Sequence, residues 1–123
     1  MKARPLTTLA ALLLALTSWA YDVEIGGIYY ELDSSTMTAT VASGDSKYQD
    51  DITIPGTITY SGTPYFVTSI GEYAFSYCYS LTSVSLPNSL TTIESYAFYK
   101  CTRLTSINIP TSVTSIGERA FSY

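Results

Sequence analysis

A 23-residue period over residues 67–123 constrains this chain more than any other feature. The stretch reads VTSIGEYAFSYCYSLTSVSLPNS (67–89), LTTIESYAFYKCTRLTSINIPTS (90–112) and VTSIGERAFSY (113–123). The first two blocks are identical at 11 of 23 positions, and the third repeats the first at 10 of its 11. A fixed period of this length marks units stacked side by side, each touching its neighbours.

The spacing inside a block predicts its local structure. Leu81-x-x-Val84-x-Leu86 and Leu104-x-x-Ile107-x-Ile109 predict strands over 81–86 and 104–109, with alternate side chains inward. Pro87 and Pro110 end them, because proline has no N–H for a ladder. A second apolar set (Val67, Ile70, Ala74, Phe75; Leu90, Ile93, Ala97, Phe98; Val113, Ile116, Ala120, Phe121) predicts a short extended piece, a turn at Gly71 or Gly117, and one helical turn around Ala-Phe. Burying an Ile, Leu or Phe contributes about 1.5–3 kcal/mol, and ordering a residue costs about 1.5 kcal/mol. One block therefore cannot fold alone, and stacking is compulsory. The predicted core is Ile70, Phe75, Cys78, Leu81, Val84 and Leu86, then Ile93, Phe98, Cys101, Leu104, Ile107 and Ile109, then Ile116 and Phe121. Strands 81–86 and 104–109 are expected as parallel neighbours, with Phe75, Phe98 and Phe121 in one column.

The string LTSVSLPNSLTTIESYAFYKC resembles the BspA-like class of leucine-rich repeats, with its I-x-I/L-P-x-S-V-T-S-I-G-x-x-A-F-x-x-C-x-x-L pattern. The resemblance covers about half the chain and is specific, since hydrophobics, Pro, Gly, Ala-Phe and Cys recur in one order. It implies a β-rich α/β solenoid, a right-handed leucine-rich repeat superhelix of parallel strands with one short helical turn per repeat. It further implies a secreted or surface-attached microbial protein acting in adhesion and partner binding. Glu94 and Ser95 depart from the pattern, standing where the other blocks have Gly71-Glu72 and Gly117-Glu118.

Residues 1–20 carry Lys2 and Arg4, an apolar run from Leu9 to Leu16, and Ser18-Trp19-Ala20. That three-part pattern predicts a secretory signal peptide, and the run is too short to span a bilayer. The mature chain then begins near Tyr21, with four basic residues against ten acidic ones, a net charge of −6. With no basic stripe, nucleic acid and anionic membrane are poor candidates as partners, and neither nucleic acid nor membrane insertion is expected.

Residues 21–66 do not follow the period and are expected to form a β-hairpin N-terminal cap, since an open stack end exposes its core. Val23–Ile25 and Ile28–Leu32 predict a hairpin over Gly26-Gly27, and Met37–Val41 a third strand. Ser43–Asp51 predicts a polar loop. Ile52-Thr53-Ile54-Pro55 copies Val84-Ser85-Leu86-Pro87 as a half repeat at 52–55. Thr57–Tyr60 is expected to turn through Ser61-Gly62-Thr63-Pro64 into a second hairpin. The third block stops directly after its Ala-Phe pair, which suggests a fragment of a longer array.

No histidine occurs, which removes Ser-His-Asp and Cys-His constellations and histidine metal sites. No catalytic residue, metal site or cofactor is expected. Cys78 and Cys101 hold equivalent positions in adjacent blocks, where stacking permits a disulfide. A ladder of small buried thiols fits the same slot, and free thiols are the favoured reading. The three aspartates of 45–51 lack a DxDxDG spacing and read as a solvated loop, and Glu72 and Glu118 as solvated turn residues.

The candidate binding surface has two parts. Tyr77, Tyr79, Tyr99 and Lys100 fall at positions that vary between blocks and are expected to point outward. Tyrosine offers large amphipathic area at low entropy cost, though exposed tyrosine also accompanies β-rich secreted composition. Ser83, Ser85, Ser106 and Asn108 lie opposite the inward Val84, Leu86, Ile107 and Ile109, as a polar lattice. The leading function is an exported, non-enzymatic leucine-rich repeat module binding an extracellular protein or glycan, secreted or at the cell surface. The alternative is a structural spacer or stalk whose active, possibly hydrolase, domain lies downstream.

Overall fold

Gly26 and Gly27 adopt left-handed φ of 61° and 84°, the pair of conformations that closes a two-residue hairpin with the twist its strands need. In the computed structural model, which describes residues 21–123, they join β1 (Val23–Ile25) to β2 (Ile28–Asp33), with Ile25 opposite Ile28. The secretion signal read at 1–20 lies outside the described residues. β2 pairs antiparallel with β3 (Thr38–Ala42) across a turn held by the Asp33 carboxylate. That carboxylate accepts from the Ser35 amide at 3.0 Å and the Ser35 hydroxyl at 2.6 Å, bonds that hold its pKa below the usual value.

The repeats grow from this hairpin. β5 (Thr57–Tyr60) and β6 (Thr63–Ile70) close over Ser61 and Gly62 alone, with φ of 51° and 78°. The loop is thus two residues, and Thr63-Pro64 already belong to the strand. β6 then pairs parallel with β3 on one side and with β8 (Thr92–Ile93) on the other, and β8 with β9 (Ser115–Ile116). The register Ile70↔Ile93↔Ile116 is the 23-residue period made physical. A boundary at 66/67 falls inside β6, so the hairpin and the first 23-residue coil share one strand.

On a second face β4 (Asp50–Thr53) pairs parallel with β7 (Leu81–Ser85), placing Ile52 beside Val84. The half repeat at 52–55 therefore lies beside the strand it copies. The expected pairing of 81–86 with 104–109 is corrected, because residues 104–109 form no strand and β7 finds its ladder in β4. The continuous ladder runs instead through the two-residue strands β8 and β9. There, Thr91 and Thr114 amides also donate to the Thr68 and Thr91 carbonyls one coil back, at 2.8 and 2.9 Å.

The expected helical turn is also corrected. Residues 72–77 are a run of turns, and their amides alternate in use. Ala74, Ser76 and Cys78 donate three residues back, to Gly71, Tyr73 and Phe75 carbonyls. Tyr73, Phe75 and Tyr77 donate outward to Ser95, Ala97 and Tyr99 of the next coil, at 3.4, 2.7 and 2.8 Å. Past its first turn an α-helix bonds each amide to the carbonyl four residues back, so amides that alternate between a carbonyl three residues back and the neighbouring coil do not make one. Left-handed φ near 60° at Tyr73 and Tyr77, and again at Tyr96 and Lys100, turns the backbone so that this alternation is possible.

Glu94 does not disturb the pattern. Ala97 donates to Glu94 at 3.2 Å, as Ala74 does to Gly71 at 3.1 Å and Ala120 to Gly117 at 3.3 Å. Glycine is needed at 117 for a different reason: a Cβ there would lie 2.4 Å from the Ser95 nitrogen.

The core follows the stack. Phe75 lies on Phe98 at 4.8 Å between centroids and Phe98 on Phe121 at 5.1 Å, planes within 6° and 4°. Tyr48 continues the column at 4.4 Å from Phe75 and is buried, so the polar reading of loop 43–51 is wrong at its centre. Its hydroxyl donates to the Ala42 carbonyl at 2.6 Å and accepts from the Tyr29 amide at 3.0 Å. Ile70, Phe75, Cys78, Leu81, Val84, Ile93, Phe98 and Cys101 are buried as expected, while Leu86, Leu104 and Ile107 are half-buried. Ile109, Ile116 and Phe121 are corrections, at 37 %, 51 % and 38 % exposed. Ile116 and Phe121 belong to the outermost described block, where neighbours cover one side only, and Ile109 to the segment 104–109, which has no ladder partner among the described residues.

Candidate binding site on the turn face

A side chain on a left-handed residue of these turns stands off the stack, and the turn segment places two per coil. They are Tyr73 and Tyr77, Tyr96 and Lys100, Arg119 and Tyr123. The 23-residue register brings their rings together. Tyr73 stacks on Tyr96 at 5.0 Å with planes 6° apart, and Tyr96 meets Tyr99 edge-on at 5.3 Å. Tyr99 meets Tyr77 edge-on at 5.6 Å, and Tyr77 meets Tyr79 at 6.1 Å. Five tyrosines thus form one continuous surface. Tyr73, Tyr77 and Tyr79 are 43 %, 40 % and 52 % exposed, with Tyr96 and Tyr99 half-buried between them.

Two ammonium groups sit over these rings. Lys47 Nζ lies 5.9 Å from the Tyr77 centroid and donates to the Ser76 carbonyl at 3.0 Å. Lys100 Nζ lies 5.5 Å from the Tyr99 centroid and 5.8 Å from that of Tyr123. Each is a cation–π contact within the usual range. Partial burial, and then the adjacent Tyr96 and Glu72, push the Tyr73 phenol up from its usual pKa.

Of the residues expected to bind, Tyr77, Tyr79, Tyr99 and Lys100 all come together here. Ser83 and Ser85 lie exposed on β7, and Ser106 and Asn108 exposed on the segment 104–109, away from the rings. The serine face is partly committed: Asp51 accepts from Ser83 at 2.7 Å and Thr82 at 3.1 Å, which holds its carboxyl below the usual range. Sequence reasoning missed Tyr73 and Tyr96, which recur between blocks and looked like invariants of the repeat. It also missed Lys47, which reaches the face from a loop outside the period. The four-residue spacing shared by Tyr73–Tyr77 and Tyr96–Lys100 was the available signal.

The remaining polar groups stay apart. Asp45 accepts from the Tyr21 hydroxyl at 3.2 Å while Asp51 lies on β7's partner strand, so the aspartates of 45–51 do not converge. Glu72 and Glu118 are exposed, and Glu118 meets Arg119 at 3.9 Å. Cys78 and Cys101 are buried free thiols. Cys101 Sγ donates to the Phe75 carbonyl at 2.9 Å. Its hydrogen bond with Cys78 and its burial push the Cys101 pKa up, which keeps the proton on. The arrangement offers rings, hydroxyls and two fixed cations to a partner.

The BspA type Leucine rich repeat region matches residues 51–123 in six copies. A leucine-rich repeat protein from Bacteroides ovatus is 35% identical, with a TM-score of 0.76 over 83% of this chain and 27% of its own. A leucine rich cell surface protein from Faecalibacterium prausnitzii is 36% identical, with a TM-score of 0.69 over 85% of this chain and 28% of its own. A leucine-rich repeat protein from Bacteroides capillosus is 33% identical, with a TM-score of 0.69 over 80% of this chain and 72% of its own. The chain spans just over a quarter of the length of the first two. No curated protein matches it. Stacked coils in 23-residue register, an Ala-Phe column and a recurrent buried cysteine are what that repeat encodes: the chain belongs to the BspA-type leucine-rich repeat family.

Proposed function

We propose that this chain is a non-enzymatic binding module, exported through residues 1–20 and displayed at or beyond the cell surface, whose turn face docks an extracellular protein or glycan. The observation that carries the reading is the continuous run Tyr73–Tyr96–Tyr99–Tyr77–Tyr79. Large exposed aromatics that gain nothing for the core are what a contact surface uses. The surface location is supported by the Faecalibacterium relative, itself described as a cell surface protein. In this reading the coils wind as a right-handed superhelix, which sets successive turn faces in one row. Catalysis is no part of the reading, and neither nucleic acid nor membrane insertion suits a chain of this charge.

The alternative is a spacer, and the inter-coil hydrogen bonds at Phe75, Tyr77, Phe98 and Lys100 favour it, since they would carry load along a stalk. One experiment separates the two. Immobilised extracellular-matrix proteins and glycans are screened against the purified protein and against Tyr77→Ser/Tyr99→Ser. A binding module loses capture in the variant. A spacer captures nothing in either form.

A further inference from the structure

Lys47, Tyr77, Tyr99, Lys100 and Tyr123 follow one another in contact across the coils, cation, ring, ring, cation, ring. We infer that this strip takes a linear acidic polysaccharide, laid across the coils so that its acid groups meet the lysines and its sugar rings meet the tyrosines. The inference rests on the turn face being a binding surface and names the class of ligand it receives.

Three observations point the same way. Residues 21–123 hold only four basic side chains, and three of them, Lys47, Lys100 and Arg119, lie on the turn face; Arg103 follows directly after the second turn. Glu72 and Glu118 lie in the same turns, beside Tyr73 and Arg119, and Glu31, Glu72 and Glu94 line a neighbouring groove of about 360 Å³; the strip of contacts from Lys47 to Tyr123 itself holds two cations and no acid. A polyanion is therefore drawn to the lysines and repelled from that groove, which sets its line along the strip. Second, the main chain beneath the rings is already spent. The amides of Tyr73, Phe75, Tyr77, Tyr96, Phe98 and Lys100 all donate to the next coil. An extended acidic peptide would want a free backbone edge to pair with, and beneath Tyr77 and Tyr99 the amides of the first two coils are committed. Third, tyrosine hydroxyls and ring faces together suit a partner built of hydroxyl-bearing rings.

The test uses the purified protein with hyaluronan, which carries carboxylates only, chondroitin sulfate, which adds sulfates, neutral maltoheptaose, and poly-glutamate. Retention of either acidic glycan, weakened by salt, is expected, with no retention of maltoheptaose and much weaker retention of poly-glutamate. Hyaluronan binding as well as chondroitin sulfate would assign the contact to carboxylates, and chondroitin sulfate alone to sulfates. Lys100→Gln should weaken binding by at least about fivefold with an unchanged melting temperature, and Lys47→Gln likewise. Equal binding of maltoheptaose or poly-glutamate, or indifference to both lysine variants, overturns the inference, as does binding of no probe. Capture of a matrix protein that needs Tyr99 but neither lysine would leave the binding module standing and this ligand class refuted.

Discussion

Phe98 and Tyr99 are neighbours in the chain with opposite fates: one is 1 % exposed between two parallel rings, the other stands in the tyrosine surface. Phe98→Ala should cost about 3–5 kcal/mol in chemical denaturation, a large share of a marginal domain's stability. Tyr99→Ser should stay within about 1 kcal/mol of the parent. Equal losses would mean that Tyr99 packs into the core. Tyr30 offers the reverse case, because its hydroxyl is buried without a hydrogen-bond partner among the described residues and burial pushes its pKa to about 12. Removing that hydroxyl in Tyr30→Phe should raise stability by about 1–3 kcal/mol, the usual cost of an unsatisfied buried group. A lower melting temperature would reveal an unseen partner for the oxygen. The pH dependence follows in sign. The folded pKa lies above the unfolded value of about 10, so the stability is whole below pH 10 and is lost as pH rises towards 12. Tyr30→Phe should flatten this alkaline loss, and an unaltered pH–stability curve would contradict it.

At the level of elements, the sequence was legible wherever side-chain pattern and backbone conformation agree. Gly26-Gly27 announces a hairpin because only glycine takes two positive φ angles at no cost, and the 23-residue spacing announces Ile70↔Ile93↔Ile116. It was illegible wherever backbone hydrogen bonds decide. Leu104-x-x-Ile107-x-Ile109 has the alternation of a strand yet forms none, since a strand is defined by its partner and not by its own side chains. The Ala-Phe segment looks helical because Ala, Phe and a following Cys match a helical spacing, but its amides serve the next coil. The tyrosine surface escaped for a third reason: Tyr73 and Tyr96 are 23 residues apart and meet only through the register. Gly117→Ala tests the close approach of coils directly. Its Cβ must push against Ser95, so hydrogen exchange should quicken at Tyr96, Phe98 and Lys100, whose amides bond the last coil, and not at Phe75. Unchanged protection at Lys100 would show that the coils tolerate the extra methyl.

For the whole molecule, one repeat builds two columns, one inside the stack and one outside it. Inside, Tyr48, Phe75, Phe98 and Phe121 stack under the turns and join the segment before the repeats to the coils. Outside, the same turns raise the tyrosines and lysines, which the core does not need. The loop before β4 supplies Lys47 to one column and Tyr48 to the other from adjacent positions, so it couples the two. If the outer column is the functional one, it must be removable without loss of the inner. The direct measurement is capture of immobilised ligand by Tyr77→Ser/Tyr99→Ser, read beside its melting curve. Capture should fall by an order of magnitude or more while the curve stays within a few degrees of the parent's. Undiminished capture by a folded double variant would contradict the account and move recognition to another face, with Ser83, Ser85, Ser106 and Asn108 the next to test.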